Sequence, residues 1–361
     1  MDPQDFKEQA RAQILGAAAE HRALEIRGSG SKRWYGQEVQ GEPLDTRGYS
    51  GVIDYEPTEL VITARCGTPL AEIEALLARH QQMLAFEPPH FGSGATLGGM
   101  VASGLSGPSR QAVGALRDFV LGTVLMDGKG EVLHFGGQVM KNVAGYDVSR
   151  LLAGSLGTLG LILEASVKVL PRPVAVGSRR FAMNQAEAIR SLNQWGGQPL
   201  PLSGSCWHDG MLTIRLAGAE AAVRAAEHKL GGEAVPDAEQ FWQALREQTH
   251  SFFSGIVAGK ALWRLSLPSV AEPLGLAGET LVEWGGAQRW LLADENAAMD
   301  ASTIRVAASA AGGHATLFRG GDKNIGVFQP LAPAVAQIHR NLKAGVDPAG
   351  IFNRGRMYPD F

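Results

Sequence analysis

Three glycine-rich segments carry the most chemistry in this sequence. The first, Arg27-Gly28-Ser29-Gly30-Ser31-Lys32, follows a short strand. Glycine tolerates positive φ and close approach, so consecutive N–H groups of such a loop can wrap an anion such as pyrophosphate. Ser29, Ser31 and Lys32 offer further donors. The spacing is not that of a Rossmann fingerprint, whose third glycine would fall on Arg33, and no segment is a Walker A loop. Taken alone, the loop also reads as a flexible surface turn. In the second segment, Thr96-Leu97-Gly98-Gly99-Met100-Val101-Ala102-Ser103-Gly104, Thr96 can cap a helix whose free N–H groups would face a phosphate. The small residues at 98, 99, 102, 103 and 104 leave one side bare, for a ligand or for tight helix–sheet packing. The third is Gly154-Ser155-Leu156-Gly157-Thr158-Leu159-Gly160. Three such loops point to an extended ligand held mainly by backbone, as an adenine dinucleotide would be.

Other chemistries are poorly supplied. Cys66 and Cys206 are too few for an iron–sulfur cluster or a cysteine-rich zinc site, and no metal site is expected. They read as reduced thiols of an intracellular protein. Asp5 with Glu8, and Glu72 with Glu74, read as solvated helix faces. His90, in Pro88-Pro89-His90-Phe91, is either a ligand-facing residue or a loop histidine. With 33 basic and 36 acidic side chains the net charge is -3, which argues against a nucleic-acid binder. No apolar run approaches the roughly 18 residues of a membrane span. Residues 1–20 read as an amphipathic helix and not a secretory signal, so a cytoplasmic location is expected.

The elements that must position these loops alternate between strand and helix. Strands are expected at 24–27, 51–55, 60–66, 83–86, 119–126, 131–135 and 161–170, with a turn at Asp127-Gly128-Lys129-Gly130. Leu70, Ile73 and Leu77 form one face of a helix, with Thr68 as its cap and Pro69 at its first position. Asp147 caps a short helix. Pro171-Arg172-Pro173 marks a boundary. Beyond it, strands at 211–216, 261–267 and 288–293 and helices at 220–230, 241–250 and 331–344 imply a smaller α+β layer. At 361 residues, the expected organisation is a first domain at 1–172, a cap at 173–330, and a helix and tail at 331–361 that return to the first domain.

The three loops, together with Ala115-Leu116-Arg117-Asp118-Phe119-Val120-Leu121-Gly122, Lys141-Asn142-Val143-Ala144-Gly145-Tyr146-Asp147 and Val346-Asp347-Pro348-Ala349-Gly350-Ile351-Phe352-Asn353-Arg354-Gly355-Arg356, occur in an order that resembles the vanillyl-alcohol oxidase / p-cresol methylhydroxylase FAD-binding family. Within its glycolate oxidase and D-lactate dehydrogenase branch, the short length and Gly312-Gly313-His314-Ala315-Thr316-Leu317 are similar to the FAD-binding subunits of bacterial glycolate oxidases. The resemblance implies an α+β fold: a PCMH-type FAD-binding domain of two subdomains, with a cap. It implies that Arg27, Gly28, Ser29, Gly30, Ser31 and Lys32 wrap the pyrophosphate. Thr96, Leu97, Gly98, Gly99, Ala102, Ser103, Gly107, Asp118, Gly157, Thr158, Gly160 and Ile162 would line the dinucleotide path. Lys141, Asn142 and Tyr146 would lie near the flavin ring, and Asn353 would join the site from the tail. Ser31 stands where tethering members carry histidine, so FAD is expected to be non-covalent.

Catalytic members of the branch carry a histidine-rich cap motif that this chain lacks. Its nearest segment leaves His314, Arg319 and Lys323 as candidates for a small anion site. The implied role is the FAD-binding subunit of a glycolate-oxidising complex. Its partners would be a larger homologous flavosubunit and an iron–sulfur subunit delivering electrons to quinone. Membrane contact at the inner face would come only through that complex. A self-sufficient 2-hydroxy-acid dehydrogenase with Arg319 or Lys323 on the substrate carboxylate, and a flavin-free scaffold, are the alternatives.

Overall fold

A computed structural model describes residues 2–137, 147–257, 260–293 and 301–360. The chain divides into two compact units. The first comprises Met1–Leu105, Ala115–Pro171 and Pro330–Phe361; the second comprises Ser106–Gly114 and Arg172–Gln329.

The first unit is built on a five-stranded antiparallel sheet, in the order Val52–Glu56, Val61–Arg65, Leu161–Lys168, Val120–Met126, Val132–Gly136. Asp127 makes its hairpin turn by accepting hydrogen bonds from Lys129 N and Glu131 N, both at 2.9 Å. Leu24–Arg27 pairs in parallel with Glu42–Asp45. The tail lies against the same strand: Leu24 N donates to Ile351 O at 2.8 Å, and Asn353 N to Leu24 O at 2.9 Å. Ile351 and Phe352 are thereby buried with Phe6, Ile14, Leu24, Leu44 and Leu161.

Two helices and a strand of this unit show how local signals meet tertiary demands. Leu70–Arg79 buries Leu70, Ile73 and Leu77, the face that its periodicity predicts. Its cap falls one residue later than expected, at Pro69, because Thr68 Oγ1 instead bonds the backbone of Gly51. The strand expected at 83–86 shortens to Gln82–Met83. Pro333–Val346 starts on a proline and ends in a buried lock. Lys343 Nζ reaches Asp347 Oδ2 at 2.6 Å, Thr158 O at 2.6 Å and Phe352 O at 2.9 Å. Asp347 also accepts from Ile351 N and Phe352 N. A buried ion pair is tolerated when its remaining donors and acceptors are met, and here they turn the tail back towards strand Leu24–Arg27.

The second unit is an eight-stranded antiparallel sheet. Its order is Glu233–Ala234, Ala175–Ala182, Met211–Gly218, Leu202–His208, Glu279–Glu283, Gln288–Ala293, Ala261–Ser266, His314–Arg319. Helices Gln185–Gly196 and Glu220–Leu230 pack Ala188, Leu192, Val223 and Ala226 onto Leu212, Ile214 and Leu216. Ala301–Ala310 packs Ile304 and Ala308 onto Trp263, Leu265 and Leu317. The helix expected at 241–250 is Ala238–Arg246. After it, Phe252 and Phe253 are buried in a short 3-10 turn.

Segment 106–114 joins this second unit although it lies inside the first half of the sequence. Ser109 Oγ accepts from Arg215 Nη2 at 2.6 Å, and Ser205 Oγ donates to Gln111 Oε1 at 2.9 Å. Arg110 stacks 4.3 Å from the Trp284 ring, whose indole N–H donates to Gly107 O at 3.0 Å.

Candidate functional site

Strand Leu24–Arg27 runs into a groove of about 600 Å³ in the first unit. Its floor and walls come from residues 25–33, Thr96, Gly99, Ala102, Ser103, Leu156, Asn353 and Arg356. The N–H groups of Gly28, Ser29 and Gly30 donate no hydrogen bond to any described residue, whereas Arg33 N, just beyond, donates to Gly30 O at 2.9 Å. Gly30 takes φ +78°, the left-handed conformation that lets successive N–H groups converge. The second loop and the residues just before it close on the first without space for side chains. A Cβ on Gly28 would stand 2.6 Å from Thr96 Oγ1, and one on Gly94 3.0 Å from Ser29 Cβ.

The helix after Thr96 plays another part than its sequence suggests. Thr96 caps Leu97–Ser103, accepting from Gly99 N at 3.3 Å. Leu97 N donates to Thr68 O at 2.9 Å and Gly98 N to Cys66 O at 2.8 Å. The expected phosphate-binding N–H groups are thus spent on the turn that follows strand Val61–Arg65. Gly98 is there for packing, since a Cβ would sit 2.7 Å from Cys66 Cβ, and Leu97 is buried. What this helix offers the groove is the bare side formed by Gly99, Ala102 and Ser103.

Of the other sequence-predicted residues, Asn353 lines the groove and several more sit behind it. Thr158 is buried and donates to Ser155 O at 2.7 Å. Gly157 lets Asn353 approach, because a Cβ would lie 2.6 Å from Asn353 Nδ2. Asn353 Oδ1 accepts from Ile26 N at 2.8 Å and Nδ2 donates to Leu156 O at 2.6 Å, so its amide clamps the first loop to the third. Gly160 packs on Leu125 and Met126, and Ile162 is buried in the sheet. Asp118 caps a short turn through Ala115 N at 2.9 Å. Gly107 belongs to the second unit. Lys141, Asn142 and Tyr146 lie outside the described residues. His90 sits with its Nε2 3.2 Å from Glu74 Oε1, while its carbonyl accepts from Lys32 Nζ at 3.2 Å.

The sequence reading missed Glu25, Arg33 and Arg356. Glu25 is 5% exposed and takes a forked pair from Arg33, at 2.8 Å and 3.2 Å. Arg356 donates to the carbonyls of Lys32 and Arg33. Burial disfavours its charged form, Glu25 offsets part of that, and Arg33 adds to it. The only sequence signal was that Arg356 ends a tail already suspected through Asn353.

His314 and Arg319 are the first and last residues of strand His314–Arg319, roughly 16 Å apart at the rise of an extended chain. Lys323 opens the 3-10 turn that follows, capped by Asp322. His314 therefore stands apart from the Arg319 end of the strand.

Residues 7–136 match the FAD binding domain family. Over 356 residues, 99% of this chain and 98% of the relative, the chain is 51% identical to the glycolate oxidase subunit GlcE of Escherichia coli. It is 31% identical to the glycolate oxidase subunit GlcD of Bacillus subtilis over 166 residues, covering 45% of this chain and 35% of that one. A solved alkyldihydroxyacetonephosphate synthase superposes with a TM-score of 0.66 at 15% identity, over 96% of this chain and 74% of that one, a likeness of fold. A groove with a backbone anion cradle, in a chain alike to one relative over almost its whole length, places the protein in the GlcE family of FAD-binding glycolate oxidase subunits.

Proposed function

We propose that the chain is the GlcE-type subunit of a glycolate-oxidising complex, holding FAD non-covalently and passing electrons through partner subunits. The observation that carries the proposal is the trio of uncommitted N–H groups at Gly28, Ser29 and Gly30, framed by Arg27, Lys32, Arg33 and Arg356. A diphosphate fits that chemistry, and so does the buried Arg356 Nε, which has no hydrogen-bond partner. Thr96, Gly99, Ala102 and Ser103 would bound the dinucleotide path. The lining holds no histidine or cysteine to tether a flavin. When bound, FAD would supply a two-electron carrier for the electrons that the complex takes from a 2-hydroxy acid.

The chain's own residues favour an accessory role. Clamping a substrate carboxylate calls for converging cations, and His314 and Arg319 stand at opposite ends of one strand. Cys66 and Cys206 are fully buried, and desolvation pushes the Cys66 thiol up to about 12 and Cys206 well above the ordinary range. Both stay protonated and unfit to ligate a cluster. The onward path to quinone therefore calls for an iron–sulfur partner, and substrate oxidation for a larger, GlcD-like flavosubunit. No helix among the described residues is long and apolar enough to cross a membrane. We place the chain in the cytoplasm, reaching the inner membrane face through the complex.

An anaerobic absorbance spectrum of the FAD-loaded chain tests this. The flavin band should persist with glycolate, bleach with dithionite, and bleach with glycolate once the two partner subunits are added. Bleaching by glycolate in the isolated chain would overturn the accessory role. Failure to take up FAD at all would overturn the cofactor assignment.

A further inference from the structure

The tail carries a cation into the groove in an unusual state. Arg356 is 7% exposed and lines the groove. Among the described residues only its Nη2 finds hydrogen-bond partners, Arg33 O at 2.8 Å and Lys32 O at 3.3 Å. Nε is buried with no partner, and Nη1 makes no hydrogen bond to any described residue. A guanidinium has five N–H donors, and leaving most of them unmet in a buried place is costly. The nearby Glu25 offsets part of that cost through its charge, while its two oxygens take the forked pair from Arg33.

The Arg356 backbone is held on both sides, while its Nη2 is anchored on two carbonyls. Arg356 N donates to Asn353 O at 3.0 Å, and Gln37 N donates to Arg356 O at 2.8 Å. Gly36, at φ +87°, makes room for it: a Cβ there would be 2.9 Å from Arg356 O and 3.0 Å from its Nε. A fork fixed in this way loses little freedom when it meets a second anion. The two carbonyls it already holds end the loop that begins with the open N–H groups of residues 28–30. The same side chain therefore braces the loop and presents spare donors beside it.

We propose that Arg356 is a ligand for the phosphate groups of the bound dinucleotide, making the C-terminal tail a working wall of the site. The proposal rests on the FAD reading of the groove. It follows by reciprocity that cofactor binding and tail docking stabilise each other.

Titration of the full-length apo chain with FAD, followed by flavin fluorescence at low and high salt, tests the role. The wild type is compared with Arg356→Gln and Arg356→Lys. Losing a charge-assisted hydrogen bond should raise the FAD dissociation constant by about tenfold to a hundredfold in Arg356→Gln. The salt dependence should flatten, and Arg356→Lys, which keeps the charge, should restore most of that dependence. If Arg356→Gln is too unstable to titrate, the lysine variant decides: salt-dependent binding supports the ligand role, and absent binding overturns it. A purely bracing role would weaken both variants alike and leave the salt dependence unchanged, which also overturns the proposal. A wild-type chain that takes up no FAD would instead sink the cofactor reading beneath it.

Discussion

Gly28 and Thr96 show how closely single residues fit at this site. A methyl on Gly28 would stand 2.6 Å from Thr96 Oγ1, the same oxygen that caps helix Leu97–Ser103. Gly28→Ala should therefore cost about 1–3 kcal/mol through overpacking. Thr96→Ala should cost about 1 kcal/mol through loss of the cap. Because the alanine at 96 also vacates the space the new methyl needs, the double variant should lose clearly less than the sum. Urea unfolding of the four proteins measures the coupling, and strict additivity would show that the contact is not what excludes the side chain. The sequence marked both residues separately, Gly28 in the pyrophosphate loop and Thr96 as a helix cap on the dinucleotide path. Their mutual contact could not be read there, since nothing in a local pattern says that residues 28 and 96 touch.

Among the elements, the 3-10 turn Ser251–Phe253 depends on a titrating cap. His250 Nδ1 accepts the Phe252 N–H at 3.2 Å, which requires the neutral ring. Burial lowers the His250 pKa below its ordinary 6.5, with His208, 5.5 Å away ring to ring, adding repulsion and Glu279 opposing it. In the window just below pH 6.5 the unfolded chain then binds more protons than the native one, so stability is lost as pH falls through that window. His314, lowered by burial and by Arg264, acts in the same direction. Thermal unfolding between pH 5 and 8 should show the loss, and His250→Asn, which keeps an acceptor at the cap, should reduce it. An unchanged pH profile in that variant would remove His250 as a cause. Elements with strong local signals were legible, as with the buried face of Leu70–Arg79 and the Asp127 turn. Strand Leu202–His208 was not, because Leu202-Ser203-Gly204-Ser205-Cys206-Trp207-His208 has no clean alternation. Its place is set by two neighbouring strands, Met211–Gly218 and Glu279–Glu283.

For the molecule as a whole, the chain passes between its two units after residues 105, 114, 171 and 329. Pro171-Arg172-Pro173 lies at one of these crossings. The excursion of 106–114 left no trace in the sequence, because its partners Arg215, Ser205 and Trp284 lie about a hundred residues or more away. That excursion makes a test of how stability is distributed. Arg215 is 8% exposed, and its guanidinium donates to Ser109 Oγ at 2.6 Å, Ser203 Oγ at 3.1 Å and Ser203 O at 3.5 Å. Replacing Ser109 by alanine withdraws that acceptor from a buried cation, a loss of about 1–3 kcal/mol. Replacing Gln111 by leucine removes the acceptor of Ser205 Oγ, which itself holds Gly285 N at 2.9 Å. If the excursion is structurally part of the second unit, hydrogen exchange in the double variant should speed up in strands Leu202–His208 and Met211–Gly218. Strand Val120–Met126, next along the chain but in the first unit, should keep its protection. Faster exchange in Val120–Met126, with the second unit unchanged, would assign the segment to the first unit and remove this account of the fold.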